Sequence, residues 1–450
     1  MKKKLISIIM ILVVVSLYVT GCGGNSDETS KKEEKKGKVY YLSFKPEADA
    51  AWQAIAKEYE SQKGIEVKVV TAANNTYEQT LKSEIAMTDA PTLFQINGPV
   101  GYQNWKDYCK DLKDTDLYSW LIDKNMAVKD GDGVYGIPYV VEGYGIIYNE
   151  EIMDKYFALA DKAVDISTTT DIKNFDTLKK VVEDMTAKKD QLGIEGVFGS
   201  TSLATGEDWR WQTHLANIPI YYEYKDKNVN DLDKIDFTYS DNFKNIFDLY
   251  LNNSCTERTK LGSKTVTNSM EELALGKVAM IQNGNWGWSD IAKVKGNTVK
   301  EDKVKFLPIY TGISGEENQG LCIGTENYFC INSKASEEDQ KASLDFVEWL
   351  FNSEYGKKAV TNDLGFIAPF STFSDSEKPT DPLAKEISKY MSDGSKTSIS
   401  WNFTSFPSQA FKDNFGGALL KYAQEKESWD DVKAAVIKDW ETEKAAIANN

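Results

Sequence analysis

Apolar residues along this chain follow two rhythms that alternate. From Val39 to Ser43 they run almost unbroken and are rich in β-formers, whereas from Asp49 to Lys63 the residues Trp52, Ile55, Ala56 and Tyr59 return at helical spacing until Gly64 stops them. Ile65 to Val70 alternates as a second strand, Tyr77, Leu81 and Ile85 mark a second helix, and Thr92 to Ile96 reads as a third strand after Pro91. This strand-helix order predicts a parallel sheet with helices on its faces, because a crossover helix returns the chain beside the strand it left.

The same rhythms come back later. Phe175, Leu178, Val181, Val182 and Met185 stripe one helix, and Glu195 to Phe198 reads as the strand after it. Ser336-Glu337-Glu338-Asp339 has the form of a capping box for a helix running to about Phe351, with Leu344, Phe346, Val347 and Leu350 on its apolar side. A last helix starts near Ser428 and carries Trp429, Val432, Val436 and Trp440. No short internal repeat is present, which argues against a solenoid. In open α/β sheets ligands bind outside the carboxyl ends of the strands, and two such lobes facing one another make a cleft.

The N-terminus follows a different pattern. Lys2 to Lys4 precede an apolar run from Leu5 to Val19, too short to span a bilayer comfortably, and it reads as a signal peptide over residues 1–21. The run ends in Val19-Thr20-Gly21-Cys22, which resembles the lipobox at which a bacterial signal peptidase cuts once the thiol carries lipid. That likeness implies lipidation of Cys22, with palmitate among the acyl chains, and anchoring on the extracytoplasmic face of the cell membrane. Gly23 to Lys38 contains only small, polar and charged residues apart from its glycines and cannot bury enough surface to fold, so residues 22–38 are expected to be a flexible tether.

The rest, Val39 to Asn450, exceeds what one hydrophobic core usually supports and predicts two domains. The chain carries 53 basic and 69 acidic residues, net −16. Such an acidic surface is repelled by nucleic acid and by anionic lipid, and a neutral ligand is the easier guest. With Cys22 used by lipid, Cys109, Cys255, Cys322 and Cys330 allow up to two disulfides or none, and their spacing does not choose.

Catalytic constellations are lacking. The single histidine, His214, cannot build a histidine metal cluster, and no Cys-x-x-Cys, His-Glu-x-x-His or Gly-x-Ser-x-Gly string is present. Gly276-Lys277 lacks both the upstream glycine loop and the following hydroxyl residue of a phosphate loop. No catalytic residue, metal or cofactor is therefore expected, and His214 reads as a satisfied structural histidine. Any two carboxylates could be imagined as the acid and base of a surface glycoside hydrolase, which is the alternative reading.

Aromatic residues beside amides and carboxylates stand out instead. Trp209 and Trp211 follow Glu207-Asp208, Trp286 and Trp288 follow Asn283-Gly284-Asn285, Trp401 precedes Asn402-Phe403, and Glu142 precedes Gly143-Tyr144. A sugar ring offers a C–H face that packs on an indole and a rim of hydroxyls that pairs with planar polar groups. These residue types suit carbohydrate, although each tryptophan taken singly is as well explained by core packing.

Two strings carry a family resemblance. Gly136 to Asn149 (GIPYVVEGYGIIYN) resembles the hinge-strand segment of the maltose and maltodextrin receptors among the type II solute-binding proteins of ATP-driven (ABC) importers, and Gly276 to Ser289 resembles their GKxAM...GxWxW segment. The resemblance implies a sugar-touching role for Glu142 and sugar stacking for Trp286. More weakly, Glu207 and Trp209 resemble a Glu-x-aromatic contact, and Asp89 to Phe94 resembles the first-lobe segment whose following loop suggests Asn97. Lys45 and Glu47 lie in the loop after the first strand, a contact region in that branch, and the C-terminal aromatic contact falls at Trp401 or Phe406. The loop Gln95-Ile96-Asn97-Gly98 lacks the tryptophan and aspartate found there in the enterobacterial-type maltose receptor.

The resemblance also implies an α/β, two-lobed type II periplasmic-binding-protein fold with discontinuous lobes and a hinge. Lobe one is expected at 39–145 plus 325–370 and lobe two at 146–324 plus 371–450. It further implies a monomer that binds an oligosaccharide, best matched by a malto-oligosaccharide, and delivers it to ABC permease subunits in the membrane.

Overall fold

The computed structural model describes residues 36–73, 76–374 and 376–448. The apolar leader, Cys22 and the expected tether before Lys36 lie outside the described residues.

Five strands come first along the chain: β1 (Val39–Ser43), β2 (Val67–Thr71), β3 (Leu93–Ile96), β4 (Val128–Asp130) and β5 (Gly133–Pro138). They are followed by β6 (Glu142–Asn149), β7 (Gly196–Phe198), β8 (Val278–Gly284), β9 (Val304–Leu307), β10 (Gln319–Gly324), β11 (Tyr328–Ile331) and β12 (Thr397–Ser400). They assemble into two sheets, one ordered β2-β1-β3-β11-β5-β4 and the other β12-β10-β6-β8-β7, with β9 also paired to β6. Helices separate most of these strands, while β4–β5, β5–β6 and β10–β11 follow one another directly, giving the two-lobed α/β fold that the resemblance implied.

In the first sheet β1 lies parallel to β2 and β3, with Val39 opposite Val67 and Tyr41 opposite Leu93. The crossover helices between them are Asp49–Lys63 and Tyr77–Glu84, each burying the stripe read from the sequence. The second strand begins at Val67 rather than Ile65, because β1 itself begins at the partner of Val67. β11 arrives from far along the chain and runs antiparallel between β3 and β5, with Cys330 opposite Phe94. Its Phe329 and the helix residue Trp52 pack on Tyr41, ring centroids 5.7 and 4.9 Å away, in the core of this sheet.

β6 is the spine of the second sheet. Tyr144 to Tyr148 pair with β8 on one edge, while the other edge is shared by β10 and then β9. The helices Phe175–Ala187 and Trp429–Ala448 also match their apolar stripes. Trp440 is fully buried against Phe406 and Phe411, 5.1 and 5.3 Å between ring centroids, and its Nε1 donates to the Leu232 carbonyl at 2.8 Å.

The helix Glu337–Asn352 starts as predicted, with the Ser336 hydroxyl accepting from the Asp339 N–H at 3.1 Å. The Asp339 carboxylate does not return to the cap, however, because it accepts the Lys38 N–H at 2.8 Å. Lys38, the last residue of the expected tether, is thereby fastened to the folded body.

The chain passes between the sheets at Tyr139–Val141, joining β5 to β6, and at Thr325–Asn327, joining β10 to β11. A third passage follows Phe370, which bridges Leu121, and leads to the helix Pro382–Ser392 packed on β6, β9 and β10. The Val141 N–H donates to the Ile367 carbonyl at 2.8 Å, tying the first passage to the chain leading into the third. Cys109, Cys255, Cys322 and Cys330 are free thiols. Among the described residues no helix is long and apolar enough to cross a membrane.

Candidate functional site

The passages between the sheets gather an uncommon set of buried charges. Glu142 opens β6, where the chain has just left the first sheet, and is 2% exposed. Lys45, in the loop that leaves β1, is 4% exposed and places its Nζ 2.8 Å from Glu142 Oε1 and 3.5 Å from Glu47 Oε1. Asn327 of the second passage donates to Glu142 Oε2 at 3.3 Å. Both oxygens of one carboxylate are thus engaged by segments that meet only through the tertiary fold.

Burial and charge set the protonation of this group. Burial pulls the Lys45 pKa down, but the Glu142 and Glu47 carboxylates override it and raise the pKa above its usual value. Burial raises Glu47 against the pull of Lys45. Glu326, beside Asn327, is pushed up to about 7 by burial and then by the charge of Glu142. Burial also lowers the pKa of Lys412, which Glu326 and Glu78 oppose.

A wall of aromatic rings stands on the second sheet. Trp286 lies 6.1 Å from Trp209, 5.4 Å from His214 and 6.4 Å from Trp401, centroid to centroid. His214 stacks on Tyr144 at 4.3 Å and touches Trp209 edge-on at 4.8 Å. The indoles of Trp286 and Trp401 lie directly on the backbone at the ends of β8 and β10. A Cβ at Gly284 would fall 2.2 Å from the Trp286 ring and one at Gly324 2.6 Å from Trp401 Cγ, so these two positions exclude any side chain. Trp288, two residues on, is buried in the core instead.

Trp209 enters a wide helical turn of π type, Arg210–Leu215, closed by the Ala216 N–H reaching back five residues to the Trp211 carbonyl. Such turns interrupt ordinary helices and recur at functional sites. Here the turn carries Arg210 and His214 to the aromatic wall. Arg210 is 2% exposed, and its Nε and Nη2 donate to Asn283 Oδ1 at 3.2 and 2.9 Å. Its guanidinium carbon sits 3.8 Å above the Trp209 ring. Burial lowers the guanidinium pKa to about 9, which leaves it charged at neutral pH. Burial, followed by the Arg210 charge, drives His214 well below its usual pKa, so its imidazole is neutral.

Several polar atoms in this region are buried with no hydrogen-bond partner in the protein: Asn97 Oδ1, Arg210 Nη1, Trp286 Nε1, Ser289 Oγ, Thr325 Oγ1 and Trp401 Nε1. More than nine in ten buried polar groups in folded proteins find a partner. Partnerless atoms also occur deep in the core, at Trp52 Nε1 and Tyr250 Oη, so it is the position of the indole and guanidinium nitrogens beside the aromatic wall that suits them to polar contacts from outside the chain. Asn97 belongs to the first-sheet side. It precedes the helix Gly98–Trp105 without capping it, and a Cβ on Gly98 would lie 3.0 Å from Thr404 Cβ, just beyond Trp401.

Of the residues singled out from the sequence, Lys45, Glu47 and Glu142 form one cluster, and Trp209, Trp286 and Trp401 form another. Glu207 has one oxygen engaged outside both clusters, its Oε2 accepting the Val266 N–H at 3.1 Å at the start of the helix Val266–Ala274, while its charge still acts on Arg210. Phe406, the alternative to Trp401, is buried against Trp440. Sequence reasoning passed over Arg210, Glu326 and Asn327. A lone arginine between two tryptophans and a polar triplet between two strands are weak signals, and only the fold brings them to the same place. His214, read as structural, is buried and neutral, yet it forms part of the aromatic wall. Among the described residues no group of three or more His, Cys, Asp or Glu could hold a metal ion.

A comparison of the sequence with individually curated proteins finds no match. Among solved structures, the chitin oligosaccharide binding protein is 16% identical with TM-score 0.70, over 92% of this chain and 100% of that one. RafE solved with raffinose is 18% identical with TM-score 0.66, over 91% of this chain and 99% of that one, and the same protein has been solved in apo form from Streptococcus pneumoniae. A sugar transporter from Bacillus licheniformis, solved with stachyose, is 17% identical with TM-score 0.66, over 90% of this chain and 100% of that one. At these identities the likeness establishes a shared fold. The family described as bacterial extracellular solute-binding protein matches residues 54–386, most of the described body and every crossing segment up to the third. With that match and the two-sheet fold in agreement, the chain is a bacterial extracellular solute-binding protein.

Proposed function

We propose that the protein is a carbohydrate receptor that captures an oligosaccharide between two lobes and presents it, unchanged, to the permease of an ABC importer. The observation that carries this reading is the meeting of Trp209, Trp286 and Trp401 with partnerless buried polar atoms beside the crossing segments. Indole faces pack on the C–H side of a pyranose, and polar groups without protein partners suit its hydroxyls. The raffinose, stachyose and chitin oligosaccharide named for its structural neighbours belong to the same ligand class.

The lobes are read as 39–145 plus 325–370 and 146–324 plus 371–450, with residues 142–145 going to the second lobe because they are the start of β6, and the three crossing segments act as a hinge. A ligand touching Asn97 and Lys45 on one side and the tryptophans on the other shifts the population toward the closed form, which the permease reads. The receptor acts as a monomer held to the membrane through lipid on Cys22. The finer reading is a malto-oligosaccharide, supported by the segments around Glu142 and Trp286; Glu207 adds less, being engaged with the Val266 backbone.

A thermal-shift and calorimetric screen of maltotriose, raffinose, stachyose, chitotriose and xylotriose tests the proposal. The bound sugar is expected to be recovered intact after prolonged incubation, with maltotriose the tightest ligand. Binding of none of them overturns the carbohydrate reading. Release of reducing sugar that disappears in Glu142→Gln overturns the receptor in favour of a glycoside hydrolase, and a tighter fit to another sugar overturns the malto-oligosaccharide assignment alone.

A further inference from the structure

We infer that Arg210 determines the specificity of this site, its Nη1 donating to a hydroxyl or ring oxygen of a neutral sugar; the inference rests on the carbohydrate reading above. Arg210 is held from several sides. Asn283 Oδ1 takes two of its N–H groups, and the same oxygen accepts the Gly284 N–H at 2.8 Å, which fixes the orientation of the amide. Gln282 Nε2 donates to the Arg210 backbone carbonyl at 2.8 Å, and the Trp209 ring covers one face of the guanidinium. A side chain held in this way cannot swing away to find another acceptor. Its Nη1 nevertheless ends with no partner in the protein, on a residue that is 2% exposed.

An arginine held through Nε and Nη2, with the N–H groups of Nη1 left without a partner, is preorganised for a further acceptor. What Nη1 lacks is an acceptor rather than a counter-charge. Glu207, Asp290 and Glu47 already favour its cationic form through space. An acidic sugar would also meet Glu47 and Glu142, whose nearby cation Lys45 is already paired with both. A hydroxyl or ring oxygen brings the missing acceptor without adding to that negative charge. Lysine at this position could not hold Asn283 through two N–H groups while keeping a third in place.

The test compares the wild type with Arg210→Lys, Arg210→Met and Asn283→Ala, the last of which frees the guanidinium without removing its charge. The probes are raffinose, stachyose, chitotriose and maltotriose, with trigalacturonate as the acidic counterpart. Affinities are measured by calorimetry at low and high salt, each beside a melting curve taken without sugar. The expected result is that the tightest neutral sugar binds wild type with no salt dependence and loses about tenfold or more in all three variants, with trigalacturonate binding weakly or not at all. Full affinity in Arg210→Lys, or in Arg210→Met that remains folded, overturns the assignment while leaving the carbohydrate reading intact. Tighter, salt-sensitive binding of trigalacturonate shows that a counter-charge is what the site lacks and overturns the neutral class. Failure of the wild type to bind any probe overturns both readings.

Discussion

Replacing Trp286 by alanine separates binding from folding, because the two tryptophans Trp286 and Trp440 stand in opposite environments. Trp440 is 0% exposed and wedged between Phe406 and Phe411, so Trp440→Ala leaves a cavity worth ~3–5 kcal/mol of folding stability. Trp286 is only partly buried: one face lies on the Gly284 backbone and its neighbours are the rings of Trp209, His214 and Trp401. Its removal forfeits part of that packing, on the order of 1 kcal/mol of folding stability. In the binding reaction it removes the indole that lies between Trp209 and Trp401, and a hot-spot tryptophan contributes at least ~2 kcal/mol, roughly thirtyfold in dissociation constant. Calorimetry with the tightest neutral oligosaccharide and a melting curve without sugar, run on both variants, give the comparison. Trp286→Ala is expected to bind at least about thirtyfold more weakly and to melt near wild type, and Trp440→Ala to melt far lower while its folded fraction binds normally. A Trp286 variant that melts far lower yet binds normally where folded would place the residue in the core and remove the main support for the site.

Three further perturbations bear on the charges and on the anchor. Lys45→Met leaves Glu142 buried beside Glu47 without its 2.8 Å partner and should cost about 3–5 kcal/mol in denaturant unfolding, with much of it restored in Lys45→Met/Glu142→Gln; a double variant no more stable than the single would refute the pairing. Glu326 has a folded pKa of about 7, above the value of an unfolded glutamate, so its protonated form favours the folded chain and its contribution to stability is lost as pH rises through about 7. Glu326→Gln should therefore melt above wild type at about pH 8 and remove about 1 kcal/mol of wild type's loss between about pH 6 and pH 8; an unchanged difference between the two proteins across that range would show the carboxyl is not so raised. Cys22→Ala should shift the protein from the membrane fraction to the soluble fraction with unchanged sugar affinity, and retention through detergent-free washing would exclude lipid on that thiol.

How much of this was legible before the fold was known depends on how far apart in the chain the cooperating residues lie. Trp52, Ile55, Ala56 and Tyr59 declare a helix because the period of an α-helix is local, and Val39–Ser43 and Ile65–Val70 declare strands for the same reason, the second forming as Val67–Thr71, so the parallel start of the first sheet follows from the sequence. The Ser336 cap was legible in its hydroxyl, but the second half of the box was not, since Lys38 takes Asp339 from 301 positions away. Glu142 and Trp286 could be named from strings that resemble a family. Their surroundings could not, because Lys45 reaches Glu142 across 97 positions, Asn327 across 185, and Asn283 holds Arg210 across 73. Residue type and spacing therefore determined the elements with a clear local period, the acidic charge and the aromatic-amide character of the candidate site. The tertiary structure alone decided which charges are buried together, which carboxylate serves a helix end, and which guanidinium N–H ends without a partner, since burial and long-range pairing exist only after distant segments have packed.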